Sequence, residues 1–407
     1  MKSRVVIAVL CSATLLLTGC PSQPQLKIAR RPSPADFSGL GGPIAVIPKF
    51  DPNSDNSWQI DLRSKDLRAV DARGSLSDLM YADFDDKTVW PSKEKMPVGF
   101  DYHGIMELGK DPGLGVRSLH ERGITGKGVG VAIIDQTLLV DHQEYADRLR
   151  LYEENGHTDA QAAMHAAAVA SIAVGRSVGV APNADLYFIA CSLGSPDGSG
   201  GWVYDFTRLA QSVRRILDVN AGLPADRKIR VISISVGWRD GQTGYKDITE
   251  AVSQAKRAGI LVVSSSLEET FGFAFQALGR GPTANPNLFA SFEPGMFLAK
   301  SFYSDNPDNQ AYFSNRLWIP MDSRTTASPT GNTDYVFYRE GGWSWSIPYI
   351  AGAFALACQV DPQVTPDLFW RTAMTTGKTV NVQRGGKSYS LGPIIDPVAL
   401  IDALQAR

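Results

Sequence analysis

The chain has 407 residues, with 40 lysines and arginines against 42 aspartates and glutamates, a formal net charge of −2. That balance excludes the basic excess with which a protein holds nucleic acid. A hydrophobic content of 43% excludes a disordered chain and suits one large domain with an N-terminal extension, or two domains.

The first residues have the form of a targeting segment. Lys2 and Arg4 precede an apolar run over residues 5–17, and Leu17-Thr18-Gly19-Cys20 closes it with small residues before a cysteine. The run is too short for a good membrane span. It is similar to a bacterial lipoprotein signal, which implies cleavage before Cys20, lipidation of that cysteine and a domain held outside the cytoplasm on a bacterial membrane. The signal would then span residues 1–19; an ordinary signal peptide that happens to contain Cys20 is the alternative. Of the other cysteines, Cys191 and Cys358 lie in apolar runs and are expected as buried free thiols.

Residues 20–57 are rich in Pro, Ser, Gln, Gly and Asp and read as a flexible tether. Residues 58–112 read as an N-terminal extension or a pro-segment. Within them, Ile60 to Asp71 has the leucine spacing of a single leucine-rich or pentapeptide turn, and one turn cannot make a solenoid.

From Val116 the pattern becomes α/β, and residues 113–407 are expected as the main domain. Apolar runs predict strands over 129–135, 185–191, 230–236 and 260–266, with helices over 160–174, 204–219 and 247–258 between them. Such alternation argues for a mainly parallel sheet covered by helices on both faces. Reacting groups in such sheets sit at the carboxyl ends of strands, where Asp135 falls. Further on, short strands are expected over 317–321 and 335–338. Helices are expected after Ser344, near Thr365 and over 397–404.

Gly341-Gly342-Trp343-Ser344 leads into the small, apolar run 350–358. That pattern sets a serine at the start of a buried helix, where free N–H groups favour a developing oxyanion. It equally suits a serine that merely caps a core helix. A serine nucleophile needs a base, most often histidine, and a carboxylate that orients it. The chain has five histidines, at 103, 120, 142, 157 and 165, and none follows Ser344. The order in which histidine comes last is thereby excluded. His165 opens the small-residue run Ala166 to Ala173 and would face the strand ends, either as a base or as a half-buried histidine that is merely satisfied there. His142 reads as a surface or loop residue, and His103, His120 and His157 as solvated.

Five stretches in order resemble the subtilisin family. Gly126 to Asp135 is similar to the segment with the family's catalytic aspartate, and Met164 to Ser171 to the one with its histidine. Gly179-Val180-Ala181-Pro182 follows as in the family. Val231 to Gly237 resembles the strand that pairs with substrate backbone, and Gly342 to Gly352 the nucleophile segment. The resemblance implies a subtilisin-like three-layer α/β fold and a serine endopeptidase. In it Ser344 attacks, His165 moves the proton and Asp135 orients His165. Ser235, Val236 and Gly237 would offer backbone hydrogen bonds to an extended peptide.

The match departs at the oxyanion position, where the family's asparagine is replaced by Glu268. An ionised carboxylate there would repel an oxyanion, and one lost donor costs roughly 3 kcal/mol. Ala166, Ser171, Gln136 and Thr137 also differ from the family pattern. A pseudoprotease that binds peptide or a partner through the same cleft is thus the competing reading, and an esterase a third. No cofactor is required and no metal ligand set is expected. Family members often bind calcium, but no acidic loop here has a diagnostic spacing. The expected partners are a peptide or protein substrate and, through the lipid, a membrane. The protein is expected to be a monomer.

Overall fold

The computed structural model describes residues 26–407 apart from residues 38, 40, 55, 157, 158 and 200. The expected signal segment, Cys20 and His157 lie outside the described residues.

Five parallel strands form the central sheet, in the order Leu261–Ser264, Ile229–Ile234, Gly130–Asp135, Asp185–Cys191 and Leu149–Asn155. Gly130–Asp135 and Asp185–Cys191 are buried at every position, as strands covered on both faces must be. Helices Met164–Val174 and Trp343–Val360 pack together on one face, and Thr207–Gly222 and Tyr245–Arg257 on the other. The edge strand Leu149–Asn155 escapes sequence patterning because Arg150, Glu153 and Glu154 interrupt its apolar residues. Those charges are solvent-side partners: Arg215 pairs with Glu153, and Arg30 with Glu154.

A second sheet orders Phe292–Pro294, Phe275–Arg280, Leu317–Pro320, Lys387–Ile394 and Lys378–Arg384. Its inner pairs are parallel and its outer pairs antiparallel. Helix Trp343–Val360 packs on strands of both sheets and ties them into one core. Cys191 and Cys358 are buried free thiols, and burial pushes them up to about 11 and about 12. No helix among the described residues is long and apolar enough to cross a membrane.

Residues 42–95 form a short stack of parallel coils. Gly42–Pro43 pairs with Lys65–Asp66, Asp66 bridges to Val89, and Ile60–Asp61 pairs with Ala82–Asp85. Asp61, Asp66 and Asp71 each accept the backbone N–H and the guanidinium of the arginine two residues on. Leu62, Leu67 and Ala72, between those pairs, are fully buried in a second hydrophobic core. The single turn legible in the sequence is therefore flanked by two others. Those share its backbone pairing but not its residue pattern, and so leave no repeat to detect. Ala82–Asp85 also pairs with Tyr335–Tyr338, which pairs with Arg324–Ala327, so one four-stranded sheet joins the coils to the main domain.

Residues 27–35, within the stretch expected as a tether, are tied to the main domain, residues 27–29 along the edge of the central sheet and Ser33 and Ala35 to segments beyond it. Tyr152 N–H donates to Lys27 O, Ala29 N–H to Tyr152 O, and Ala35 N–H to Pro329 O. Backbone pairing to an open sheet edge needs no apolar pattern, so polar composition concealed it. His142 differs from the expectation of a surface residue, being fully buried. Its Nε2 bonds Asp334 O at 2.9 Å, and its Nδ1 accepts the Glu144 N–H at 3.2 Å. Glu144 in turn accepts from Ser177 and Tyr335, so a polar turn satisfies itself inward.

If the coils and the main domain are one cooperative unit, Leu67→Ala should lower global stability by about 2–5 kcal/mol. Denaturant unfolding followed by tryptophan fluorescence should show one transition with a lower midpoint and an unchanged slope.

Candidate active site

Asp135 is the last residue of the central strand and 8% exposed. Its Oδ1 accepts the Gln136 N–H at 2.8 Å and the His165 Nδ1–H at 2.7 Å. His165 is the second residue of helix Met164–Val174, whose start is fixed to the strand end by Ala163 N–H donating to Thr137 O at 2.8 Å. The bond to Asp135 sets the tautomer and leaves Nε2 as the acceptor. Burial alone lowers the imidazole's pKa, but the charge and hydrogen bond of Asp135 outweigh it, and the net shift is upward. The edge of Trp345 meets the His165 ring at 5.7 Å between centroids, and Trp345 packs at 5.2 Å on Tyr338.

Ser344 is the second residue of helix Trp343–Val360. Its hydroxyl donates to Ser235 O at 3.4 Å, and Ser235 Oγ donates to Ser344 O at 3.2 Å. The hydroxyl is thus turned to Ser235 rather than to His165. The structure brings Asp135, His165, Ser344, Ser235, Val236 and Gly237 to one place at the carboxyl edge of the sheet. Val236 is engaged, with its N–H on Ile234 O and its carbonyl on Ser265 N–H. Gly237 keeps both backbone groups without a partner among the described residues, as a site for a docking strand would.

Glu268 lies in the first turn of helix Leu267–Phe271, just beyond the strand Leu261–Ser264. Its carboxylate accepts two bonds from Arg316, at 2.7 and 3.1 Å, and this pairing was not foreseeable from residues 48 apart. The guanidinium also sits 4.1 Å over the Tyr312 ring. Glu268, Arg316, Ser265, Phe275 and Trp343 line a cavity of about 120 Å³ at the start of helix Trp343–Val360. Glu268 therefore stands next to the site with its charge matched.

Two further groups were missed. Asp322, fully enclosed, accepts the Gly341 N–H at 2.8 Å and the Met296 N–H at 3.0 Å, holding the loop before Ser344. Burial pushes its carboxyl up to about 7, against the pull of Arg339 and those two N–H groups. A hairpin of Gly194–Pro196 and Trp202–Tyr204 presents exposed Trp202, Val203 and Tyr204. It connects through Tyr204 and Phe206 to Trp238, the residue after Gly237. The three adjacent apolar residues at 202–204 after a Gly-rich stretch were the available signal.

The family model "Subtilase family" matches residues 126–392, and the chain belongs to that family. It is 29% identical over 261 residues to a thermostable alkaline protease of Halalkalibacterium halodurans, covering 62% of this chain and 63% of that protein. To an alkaline protease of Alkalihalobacillus alcalophilus it is 26% identical over 252 residues, covering 60% and 57%. Subtilisin Savinase of Lederbergia lenta is also 26% identical over 252 residues, 60% of this chain and 81% of that one. The chain thus spans under two thirds of the length of the two alkaline proteases. Among solved structures, fervidolysin from Fervidobacterium pennivorans is similar at a TM-score of 0.49 and 17% identity, over 71% of this chain and 45% of that one.

Replacing Asp135 by Asn removes the charge that raises the His165 pKa and leaves the lowering effect of burial. The imidazole should then titrate at lower pH than in the native chain, as measured by NMR of the ring protons. A titration that stays in place would show that Asp135 does not govern His165.

Proposed function

We propose that the chain is a serine endopeptidase that hydrolyses peptide bonds through Asp135, His165 and Ser344 and an acyl-enzyme. The observation that carries the reading is the 2.7 Å bond from His165 to a buried carboxylate, beside a serine on a helix N-terminus. Substrate binding turns the Ser344 hydroxyl from Ser235 O to His165 Nε2, a rotamer change of the kind that completes catalytic hydrogen bonds only in the complex. Ser344 Oγ then attacks the scissile carbonyl as His165 takes its proton. Collapse of the tetrahedral intermediate passes that proton to the leaving amine. Water repeats the sequence on the ester, and Asp135 stabilises the imidazolium each time.

An extended peptide would pair with the free backbone of Gly237, next to Ser235 and Val236, with hairpin 194–204 as the second wall. The helix N-terminus at Ser344 offers N–H groups to the oxyanion. Arg316 offsets the carboxylate of Glu268, which would otherwise oppose that charge. No cofactor enters this chemistry. The first twenty residues support an exported protein anchored through lipid on Cys20.

A fluorophosphonate probe tests the reading, since only an activated serine reacts. Mass spectrometry should find one adduct, on Ser344, absent from Ser344→Ala. A folded protein that takes no adduct would instead favour a peptide-binding pseudoprotease. Loss of Arg316 in the Arg316→Ala variant should slow labelling by at least about tenfold, and Glu268→Asn should restore or exceed the native rate. Equal rates in all three would remove Glu268 from the oxyanion's surroundings.

A further inference from the structure

The loop that delivers Ser344 is held on three successive residues, and two of the three are held from the N-terminal coils. Arg339 N–H donates to Asp83 Oδ1 at 2.7 Å, and Arg339 Nε to Met80 O at 3.1 Å. Glu340 accepts twice from Trp58: its carbonyl takes the indole N–H at 3.0 Å and its Oε2 takes the backbone N–H at 3.1 Å. Gly341 is held by Asp322 of the main domain. Arg339, Glu340 and Asp83 are all buried.

Trp58 adopts φ 53°, a left-handed conformation unusual for a bulky residue. Such a conformation persists only where its surroundings over-determine it, and here it aims two donors of one residue at Glu340. A second line of contact reaches the base. Arg63 donates to Tyr338 Oη at 3.4 Å and lies 5.5 Å from that ring, Tyr338 packs on Trp345, and Trp345 packs on His165. Both groups proposed to react are therefore linked to residues 58–83, Ser344 through the loop that precedes it and His165 through three successive contacts.

We infer that the N-terminal coils are a permanent part of the active site, with Trp58 and Asp83 as positioning residues that fix the nucleophile loop at Glu340 and Arg339. An inhibitory segment made to be shed would cover the cleft and leave the catalytic loop complete without it. Here its removal would strip two of the three anchors from the residues that precede Ser344. The inference rests on the proposed role of Ser344 for its catalytic meaning, but not for the holding itself.

The test uses the full chain and two measurements: the rate of fluorophosphonate labelling, and hydrogen exchange of the amides over residues 339–345. Trp58→Phe keeps the ring and removes the indole donor. It should slow labelling about tenfold and speed exchange in the loop, with the melting temperature close to native because Trp58 is half exposed. Asp83→Ala should likewise slow labelling and speed loop exchange, and Asp83→Asn, which keeps an oxygen for the Arg339 N–H, should restore both. Native labelling and native loop exchange in Trp58→Phe overturn the inference even if Asp83→Ala fails to fold. If the native chain takes no label, the proposed function falls, and loop exchange alone still decides whether the coils hold the loop.

Discussion

The structure depends on how closely two helices can approach. The helix that begins at His165 and the one that begins at Ser344 pack against each other through small residues, with Ala166 to Ala170 fully buried on one side. On the other, a Cβ at Gly352 would lie 2.6 Å from Val180 Cβ and 3.0 Å from Ala173 O. Only glycine fits there. The spacing between the two helices that begin at His165 and Ser344 is consequently set by backbone against backbone, with little room for side chains to adjust it. The central strand that ends at Asp135 lies in the same core.

Around that frame, charge is buried in ways a simple stability argument would not favour. Asp83 and Asp322 are enclosed, and burial pushes their carboxyls up to about 8 and about 7. Each is held by backbone N–H groups of the segment that leads to Ser344 or of its neighbours. Glu268 is treated differently: half exposed, it is matched by a two-pronged bond from Arg316. Buried polar groups of this kind add little net stability, and Asp83 Oδ2 finds no partner among the described residues, but they favour this arrangement because losing the N–H donors would strand further buried acceptors.

The elements whose partners lie close in sequence pattern were legible. Apolar strands and amphipathic helices in alternation gave the parallel sheet and its two covering layers, and Pro397 after Asp396 marked the last helix, where Asp396 caps Ala399 N–H. Asp135, His165 and Ser344 stood out as polar residues at the ends of apolar elements. What stayed hidden was set by distant partners. Arg316 has no signature until it meets Glu268, and the burial of His142 follows from Asp334 and Glu144 closing over it. The coils were reduced to one visible turn because backbone ladders carry no residue code. The edge segment 27–35 vanished for the same reason.

That edge segment also governs what the central sheet offers to other chains. An uncovered edge strand presents a row of free backbone N–H and carbonyl groups on which an extended chain can pair. At Leu149–Asn155 part of that row is already taken, by Lys27 and Ala29 on Tyr152. The segment thus guards that margin of the sheet against stray strand addition, and a chain that lost it would carry a sticky edge.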